Sequence, residues 1–502
     1  MSLETQLQLY FGYPSFREGQ KEIIETIMGQ QDLLAVLPTG TGKSICYQLP
    51  ALLLDGTAIV VSPLLSLMED QVQQLHSIGI KKVAALNSFL SWEERQFVIS
   101  RVHQFKLLYV SPEVLQSTFI LEKLKSIPIS MFVVDEAHCI SQWGHEFRTD
   151  YLKLKEVRKQ VGQPPCLALT ATATKEIQQD IIAHLGLYNE KKIIHSVDRK
   201  NIALLVEQCS SPIEKIERLT KYVNDLQGPG MVYFSSRQLA ENMAEHLQQK
   251  GNQRIAYYHG GLRSEDRILI QQQFMNGQLD IVCCTSAFGM GINKQDVRYV
   301  IHFHFPGQME AYLQEIGRAG RDQKQSLAIL LYTNDDWHVP VSLIEQELPN
   351  DKQIQQVIKL LSKTKLLTPD IELYIQQTVN IQETMWRYLK FQFEKNQILL
   401  QDGNVREQIN VGSIIEKLKT NVEERKTAKL KKIKEMERWV LQQDCRRKAY
   451  LQYFHEILVE KPVQCCDKCG LSLTLYEKIR KEENIKENTW RQDLMEIFHQ
   501  TE

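Results

Sequence analysis

The chain has 502 residues, 43% of them hydrophobic and 24% charged, the composition of a folded water-soluble protein with length for roughly three to four domains. A formal net charge of −1 excludes a globally basic polyanion binder, so any nucleic acid must be met by a local patch. No apolar run approaches a bilayer span, and Met1-Ser2-Leu3-Glu4-Thr5-Gln6 lacks the basic-then-apolar order of a secretory signal.

Near the start, Phe11-Gly12-Tyr13 leads to Phe16-Arg17-Glu18-Gly19-Gln20. A glutamine amide can donate to and accept from an adenine edge, and Tyr13 can stack on the ring. Taken by itself, a helix N-cap explains this segment better. Up to about residue 195 the apolar runs Leu33–Leu37, Ala58–Val61, Leu107–Val110 and Met131–Val134 alternate with amphipathic stretches, the pattern of a parallel α/β sheet.

Behind the first run stands Leu37-Pro38-Thr39-Gly40-Thr41-Gly42-Lys43-Ser44. Its glycines let backbone N–H groups curl around phosphates at the start of a helix. Thr39, Gly40, Thr41 and Gly42 form the cradle, Lys43 reaches the β- and γ-phosphates, and Ser44 ligates Mg²⁺. Leu37 occupies the place where the usual pattern has glycine. After the fourth run come Asp135 and Glu136, one suited to hold Mg²⁺ and the other to polarise the attacking water. Two acids after a strand would alone suit a helix start, but the phosphate loop makes the catalytic reading much the stronger.

The next loop carries Gln142, Trp143, His145, Phe147 and Arg148, residue types on which single-stranded bases stack. Catalysis and nucleic-acid contact are thus joined by about ten residues, as coupling hydrolysis to movement along a strand requires. Leu169-Thr170-Ala171-Thr172 follows another strand and offers the hydroxyls of Thr170 and Thr172 as a link from the carboxylates to a bound strand.

The alternation restarts after Arg199-Lys200-Asn201-Ile202, with strands at 231–234, 255–258, 280–284, 300–303 and 328–331. Ser235-Ser236-Arg237, His259-Gly260-Gly261 and Thr285–Ile292 fall at strand ends, where ligands bind in open α/β sheets. In Glu315-Ile316-Gly317-Arg318-Ala319-Gly320-Arg321-Asp322 the arginines Arg318 and Arg321 are three apart, so on a helix both face one cleft. There a guanidinium would stabilise the transferring phosphoryl group, and Arg321 is the preferred candidate.

From about 341 the pattern becomes helical, with periodic stretches at 354–361 and 381–393, and then a hairpin signal at Asp402-Gly403. Helices followed by a hairpin predict either a small winged-helix-like fold or a helical linker. Residues 413–455 read as a long helical hairpin rich in lysine. Of the ten cysteines, most sit singly in apolar stretches as reduced thiols, whereas Cys445, Cys465, Cys466 and Cys469 cluster as a tetrahedral Zn²⁺ set. Adjacent Cys465 and Cys466 can share one metal only with backbone adjustment.

These motifs, in this order, resemble the RecQ family of superfamily 2 DNA helicases over nearly all of residues 7–335. The resemblance rests above all on the Phe-Gly-Tyr…Phe-Arg…Gly-Gln segment and the loop from Ser141 to Arg148. It implies that Tyr13, Arg17 and Gln20 read adenine, that the aromatic loop couples DNA to hydrolysis, and that duplex DNA is unwound 3′-to-5′ in recombination and repair. The cysteines resemble the family's zinc subdomain, with Val463 where the usual first cysteine of the knuckle stands. About thirty residues follow Cys469, too few for the domains that follow zinc in long members, which is the proportion of the short bacterial form.

The expectation is therefore α/β: two tandem RecA-like parallel-sheet motor domains (1–195 and 196–340), then a helical, winged-helix-like region (341–412), a helical hairpin with a zinc-binding subdomain (413–475) and a tail helix (476–502). The expected cofactors are Mg²⁺ with ATP and structural Zn²⁺. The expected partners are DNA with single-stranded tails, forks or junctions and single-strand-binding or replication and repair proteins. No membrane is involved, and a cytoplasmic, nucleoid-associated monomer is expected. A DNA-dependent ATPase switch that anneals strands or binds junctions without processive unwinding is the competing reading.

Overall fold

The computed structural model describes residues 1–63, 65–87, 90–141, 148–251, 253–289, 294–400, 403–406 and 410–478. Continuous apolar runs need cover on both faces, and an all-parallel sheet flanked by helices supplies it. The first sheet has seven strands: β1 (Leu33–Val36), β2 (Thr57–Val61), β3 (Val83–Leu86), β4 (Leu107–Val110), β5 (Ile129–Val134), β6 (Cys166–Thr170) and β7 (Lys191–Ile194). Their spatial order is β3-β4-β2-β5-β6-β1-β7, and every pairing is parallel. β1 and β5 thus flank β6, in register Val36 with Thr170 and Val134 with Ala168. The ends that carry the phosphate loop, Thr170 and the carboxylates lie side by side.

The second sheet comprises β8 (Ile202–Gln208), β9 (Gly230–Tyr233), β10 (Ile255–Tyr258), β11 (Ile281–Cys284), β12 (Tyr299–His302) and β13 (Ser326–Tyr332). It is parallel throughout in the order β10-β11-β9-β12-β13-β8. β3, β7 and β8 add strands that the apolar runs did not announce. β7 is an edge strand with Ile193 inside and Lys192 and Ile194 outside, so it offers no continuous apolar signal.

Beyond the second sheet, helices Asp351–Leu361, Pro369–Val379 and Glu383–Lys395 surround a small set of antiparallel bridges, Leu366 with Asn404 and Leu399 with Val405. In chain order the bridge residue Leu366 falls between the first and second of these helices, and Leu399, Asn404 and Val405 follow the third. Asp402 lies outside the described residues. The helix Val411–Leu441 then returns along the second motor domain, and Arg446–Tyr453 packs behind it. Tyr312 and Trp439 meet with ring centroids 4.9 Å apart. One apolar core runs from Met231 and Val300 through Ile354 and Trp386 to Trp439, Cys465 and Cys466, so the helical and cysteine-bearing regions share the second motor domain's interior. Lys153 pairs with Glu394 at 2.9 Å and ties the helix Glu383–Lys395 to the first motor domain. Most of the tail, including Trp490, Leu494, Ile497 and Phe498, lies outside the described residues.

Candidate active site

The phosphate loop leaves β1 with the Leu37 N–H donating to the Thr170 carbonyl at 3.0 Å and ends at the helix Ile45–Leu53. Gly40 and Gly42 take positive φ values of 85° and 76°, conformations that L side chains avoid. A Cβ at Gly40 would also stand 3.1 Å from Arg321 Cγ and 3.3 Å from Arg199 Nη1, and one at Gly42 would stand 2.9 Å from Gln20 Nε2. Gln20 is buried and donates to the carbonyls of Thr41 (2.8 Å) and Gly42 (3.0 Å), while its Oε1 accepts the Arg17 N–H at 2.9 Å. The Arg17 guanidinium donates to the Gly40 carbonyl. Arg17 and Gln20 are therefore fastened to the loop itself, and Tyr13, half exposed, stands at the surface nearby in sequence.

At the end of β5 the Asp135 N–H continues the ladder to Val61. Glu136 has φ +49°, an uncommon conformation for a glutamate and the kind of strain found where a side chain must be aimed. Its N–H donates to Asp135 Oδ1 at 3.0 Å. Lys43 Nζ lies 3.9 Å from Glu136 Oε1. Burial pushes the Asp135 carboxyl up to about 6, with the Glu136 charge adding and Lys43 opposing. Two partly buried carboxylates near one ammonium leave a deficit of positive charge, and oxygen donors at that position fit Mg²⁺.

His138 extends this group. Thr170 Oγ1 donates to the Thr172 carbonyl at 3.2 Å and so accepts from His138 Nδ1 at 2.9 Å, which places the proton on that nitrogen. Glu136 Oε2 is 3.4 Å from the same nitrogen. Thr170 and Thr172 are buried, so their hydroxyls face the protein interior rather than a solvent-filled groove. Gln142, Trp143, His145 and Phe147 lie outside the described residues. The loop's two ends are fixed: Ser141 donates to Asp180 at 2.6 Å, and Arg148 donates to the Pro63 carbonyl at 2.8 Å.

Across the cleft, the helix Met309–Ile316 stops before Gly317, and Gly320 turns the chain at φ +56°. Arg318 and Arg321 therefore sit on a turn rather than on a helix. Arg318 is buried within the second domain, where a Cβ on Gly289 would stand 2.3 Å from its Nε. Arg321 lies against Gly40 of the phosphate loop, and burial together with the Arg318 and Arg199 charges depresses its proton affinity to about 9. Thr39 Oγ1 donates to the Gly317 carbonyl at 2.8 Å. His259, also in the second domain, is buried; its Nδ1 accepts the Gly261 N–H at 3.1 Å, so its Nε2 donates to Glu241 at 2.6 Å.

The four thiols Cys445, Cys465, Cys466 and Cys469 converge, with all four Sγ atoms within 4.8 Å of one another. Cys445 precedes the helix Arg446–Tyr453 as its N-cap residue. Cys445 and Cys465 Sγ are 3.7 Å apart, and Zn–S bonds of about 2.3 Å at tetrahedral angles require about 3.8 Å. The donor set and spacing thus fit Zn²⁺, with Cys465 included.

Sequence reasoning missed Arg199, Asp198 and Arg447. Each acts through backbone or carboxyl partners far away in the chain, and no local spacing signals them. His138, two residues beyond Glu136, also drew no role.

Three family models match: DEAD/DEAH box helicase over residues 17–180, helicase conserved C-terminal domain over 214–323, and RecQ zinc-binding over 404–470. The chain is 47% identical to the probable ATP-dependent DNA helicase RecS of Bacillus subtilis, over 99% of this chain and 98% of that protein. It is 44% identical to the ATP-dependent DNA helicase RecQ of Haemophilus influenzae over 70% of this chain, and that match covers 56% of the longer protein. Among solved structures, the Mycobacterium smegmatis helicase Lhr aligns with a TM-score of 0.56 at 19% identity, over 76% of this chain and 55% of that one, a likeness of fold. With near full-length identity to RecS and a RecQ zinc-binding segment that contains all four clustered thiols, the chain belongs to the RecQ family of ATP-dependent DNA helicases.

Proposed function

We propose that this chain is a motor that hydrolyses ATP to step 3′-to-5′ along single-stranded DNA, and so unwinds duplex DNA in recombination and repair. The observation that carries the reading is the meeting of Arg321 with Gly40 of the phosphate loop across the cleft between two parallel-sheet domains. A phosphoryl-transfer site completed from a second domain turns over only when the cleft is closed, which links each hydrolysis to a domain movement.

In this reading Tyr13, Arg17 and Gln20 recognise adenine. Because Arg17 and Gln20 also hold the carbonyls of residues 40–42, base recognition and phosphate-loop shape are set together. Thr39 to Gly42 cradle the phosphates, and Lys43 neutralises them. Asp135 and Ser44 hold Mg²⁺, which supplies charge neutralisation on the phosphate oxygens when bound. Glu136 orients the attacking water, and Arg321 stabilises the transferring group while Arg318 braces the second domain's side of the site. Gln142, Trp143, His145, Phe147 and Arg148 contact the strand, and Thr170 and Thr172 relay its presence to the carboxylates through His138. His259 contributes to the strand path by fixing the Gly260-Gly261 turn. Zn²⁺ on the four cysteines is structural. The substrates are DNAs with single-stranded tails, forks or junctions, with single-strand-binding or replication and repair proteins as partners of a nucleoid-associated, cytoplasmic monomer. Among the described residues, no helix is long and apolar enough to cross a membrane.

The test is ATP-driven strand displacement on matched duplexes bearing a 3′ DNA tail, a 5′ DNA tail or a 3′ RNA tail. Displacement from the 3′ DNA tail alone is the expected outcome. DNA-stimulated hydrolysis without displacement on any substrate would replace the motor with a switch.

A further inference from the structure

The linker Ser196–Asn201, between the two sheets, carries one side chain that touches both halves of the ATP site. The Arg199 guanidinium donates through Nη1 to the carbonyls of Thr39 (2.7 Å) and Gly317 (3.1 Å), and through Nη2 to those of Ala319 (3.1 Å) and Gly320 (2.7 Å). One acceptor belongs to the phosphate loop, and three belong to the turn that ends in Arg321. We infer that Arg199 is the positioning residue that seats the Arg321 turn against the phosphate loop, and that the zinc-bearing helix holds Arg199 in place. The inference rests on the reading of Arg321 as the residue that stabilises the transferring phosphoryl group.

Four carbonyls in two separate segments require a planar group with donors at fixed angles. Guanidinium has that shape, and a lysine ammonium does not. The same turn is gripped a second time from the linker, because Asn201 Nδ2 donates to the carbonyls of Gly320 (2.8 Å) and Lys324 (2.9 Å). With carbonyls rather than carboxylates as partners, burial lowers the proton affinity of Arg199 to about 10, so the cation persists at neutral pH. Gly40 is approached by Arg17, Arg199 and Arg321 together, a concentration of positive charge that the phosphates of a nucleotide would balance.

What fixes Arg199 comes from the far end of the sequence. Arg447, buried in the helix that starts beside Cys445, donates to the Arg199 carbonyl at 3.1 Å and also to Asp198 and the Ile202 carbonyl. Tyr450 donates to Asp198 at 2.5 Å. The knuckle itself runs beside β8: the Leu204 N–H donates to the Cys465 carbonyl at 3.2 Å, and the Asp467 N–H donates to the Leu204 carbonyl at 3.0 Å. A short series of contacts therefore leads from the thiol cluster through Arg447 and Arg199 to Thr39.

The test uses the full chain and measures ATP turnover saturated with single-stranded DNA for Arg199→Ala, Arg321→Ala and the double variant, with nucleotide affinity, zinc content and thermal unfolding alongside. A positioning role predicts that Arg199→Ala lowers kcat at least about tenfold with KM within about threefold, and that the double variant is no slower than Arg321→Ala. Zinc content and a single unfolding transition should persist. Should Arg199→Ala not fold, Arg199→Lys takes its place in the same cycle, with kcat again lowered and the double variant again no slower than Arg321→Ala. Losses that multiply in the double variant, or an undiminished kcat in the single one, overturn the inference. An undiminished kcat in Arg321→Ala instead refutes the underlying assignment of Arg321. Arg447→Lys tests the second half: kcat should fall with zinc retained, and an unchanged kcat with zinc retained removes the zinc-bearing helix from the argument.

Discussion

Thr39 Oγ1 donates to the Gly317 carbonyl at 2.8 Å, so the phosphate loop of one domain and the arginine-bearing turn of the other share a hydrogen bond across the cleft. Gly317 has φ −63°, which alanine adopts freely. A methyl there would nevertheless stand 2.0 Å from Thr39 Oγ1 and 2.9 Å from the Leu313 carbonyl. Gly317→Ala is thus a substitution that opposes cleft closure, with a smaller displacement forced at the Leu313 carbonyl of its own domain. DNA-stimulated turnover should fall about tenfold or more, with single-stranded DNA affinity little changed in a fluorescence anisotropy titration. Equal turnover in the two proteins would show that closure does not depend on this contact.

Lys43 approaches Glu136 to 3.9 Å, so its ammonium sits among the charges of the cleft. Removing it strips the phosphates of their point charge and leaves two neighbouring, partly buried carboxylates without that cation. Lys43→Ala should lower hydrolysis at least about a hundredfold, while DNA affinity stays within a few-fold of the parent. Loss of DNA binding with a lowered melting temperature would identify the lysine as structural.

The relay from His138 Nδ1 through Thr170 Oγ1 to the Thr172 carbonyl predicts a separation of activities. Thr170→Val keeps the shape and deletes the hydroxyl that joins His138 Nδ1 to the Thr172 carbonyl, at a cost of about 1–3 kcal/mol. Basal hydrolysis should stay within about threefold, whereas its stimulation by single-stranded DNA should fall about tenfold. Stimulation equal to the parent's would take Thr170 out of the coupling route.

What the sequence disclosed divides along physical lines. The phosphate loop and the Asp135-Glu136 pair were legible because their chemistry is local: glycines at positive φ and acids at a strand end must be neighbours in the chain. The buried central strands were legible as apolar runs, and edge strand β7 was not, since only Ile193 of its four residues is buried. The helical region was half legible, because its periodic stretches announce helices while the bridge from Leu366 to Asn404 joins residues 38 positions apart. Arg318 and Arg321 were placed on one helix because spacing cannot announce that Gly317 and Gly320 end it. Arg199 and Arg447 were illegible, as an arginine whose partners are backbone carbonyls leaves no complementary residue type to find.

His304 gives a pH signature. Burial and the neighbouring Lys215 charge hold its proton affinity down at about 4, against 6.5 ordinarily, with Asp336 opposing. The unfolded chain therefore binds more protons than the folded one between those values. Stability is fully present above pH 6.5 and is lost as pH falls towards 4, by on the order of 2 kcal/mol from this group. Between pH 6.5 and 5, the melting temperature of His304→Gln should fall less than that of the parent. Parallel curves would mean that the imidazole titrates normally.

The last prediction concerns the metal. Cys465 and Cys466 are consecutive, an arrangement that needs the backbone to turn two neighbouring side chains towards one point, yet all four Sγ atoms lie within 4.8 Å. Each thiolate on tetrahedral zinc contributes to a site whose binding free energy is also folding free energy. The purified chain should carry one zinc per molecule by plasma mass spectrometry, and Cys465→Ser should lose most of it. Because the Cys465 carbonyl accepts the Leu204 N–H of β8, the damage should extend into the second motor domain. The variant should melt at a lower temperature, and amide exchange should rise at Ile202–Leu205. Full zinc occupancy in Cys465→Ser would instead leave three thiols as the protein's ligands and exclude Cys465 from the site.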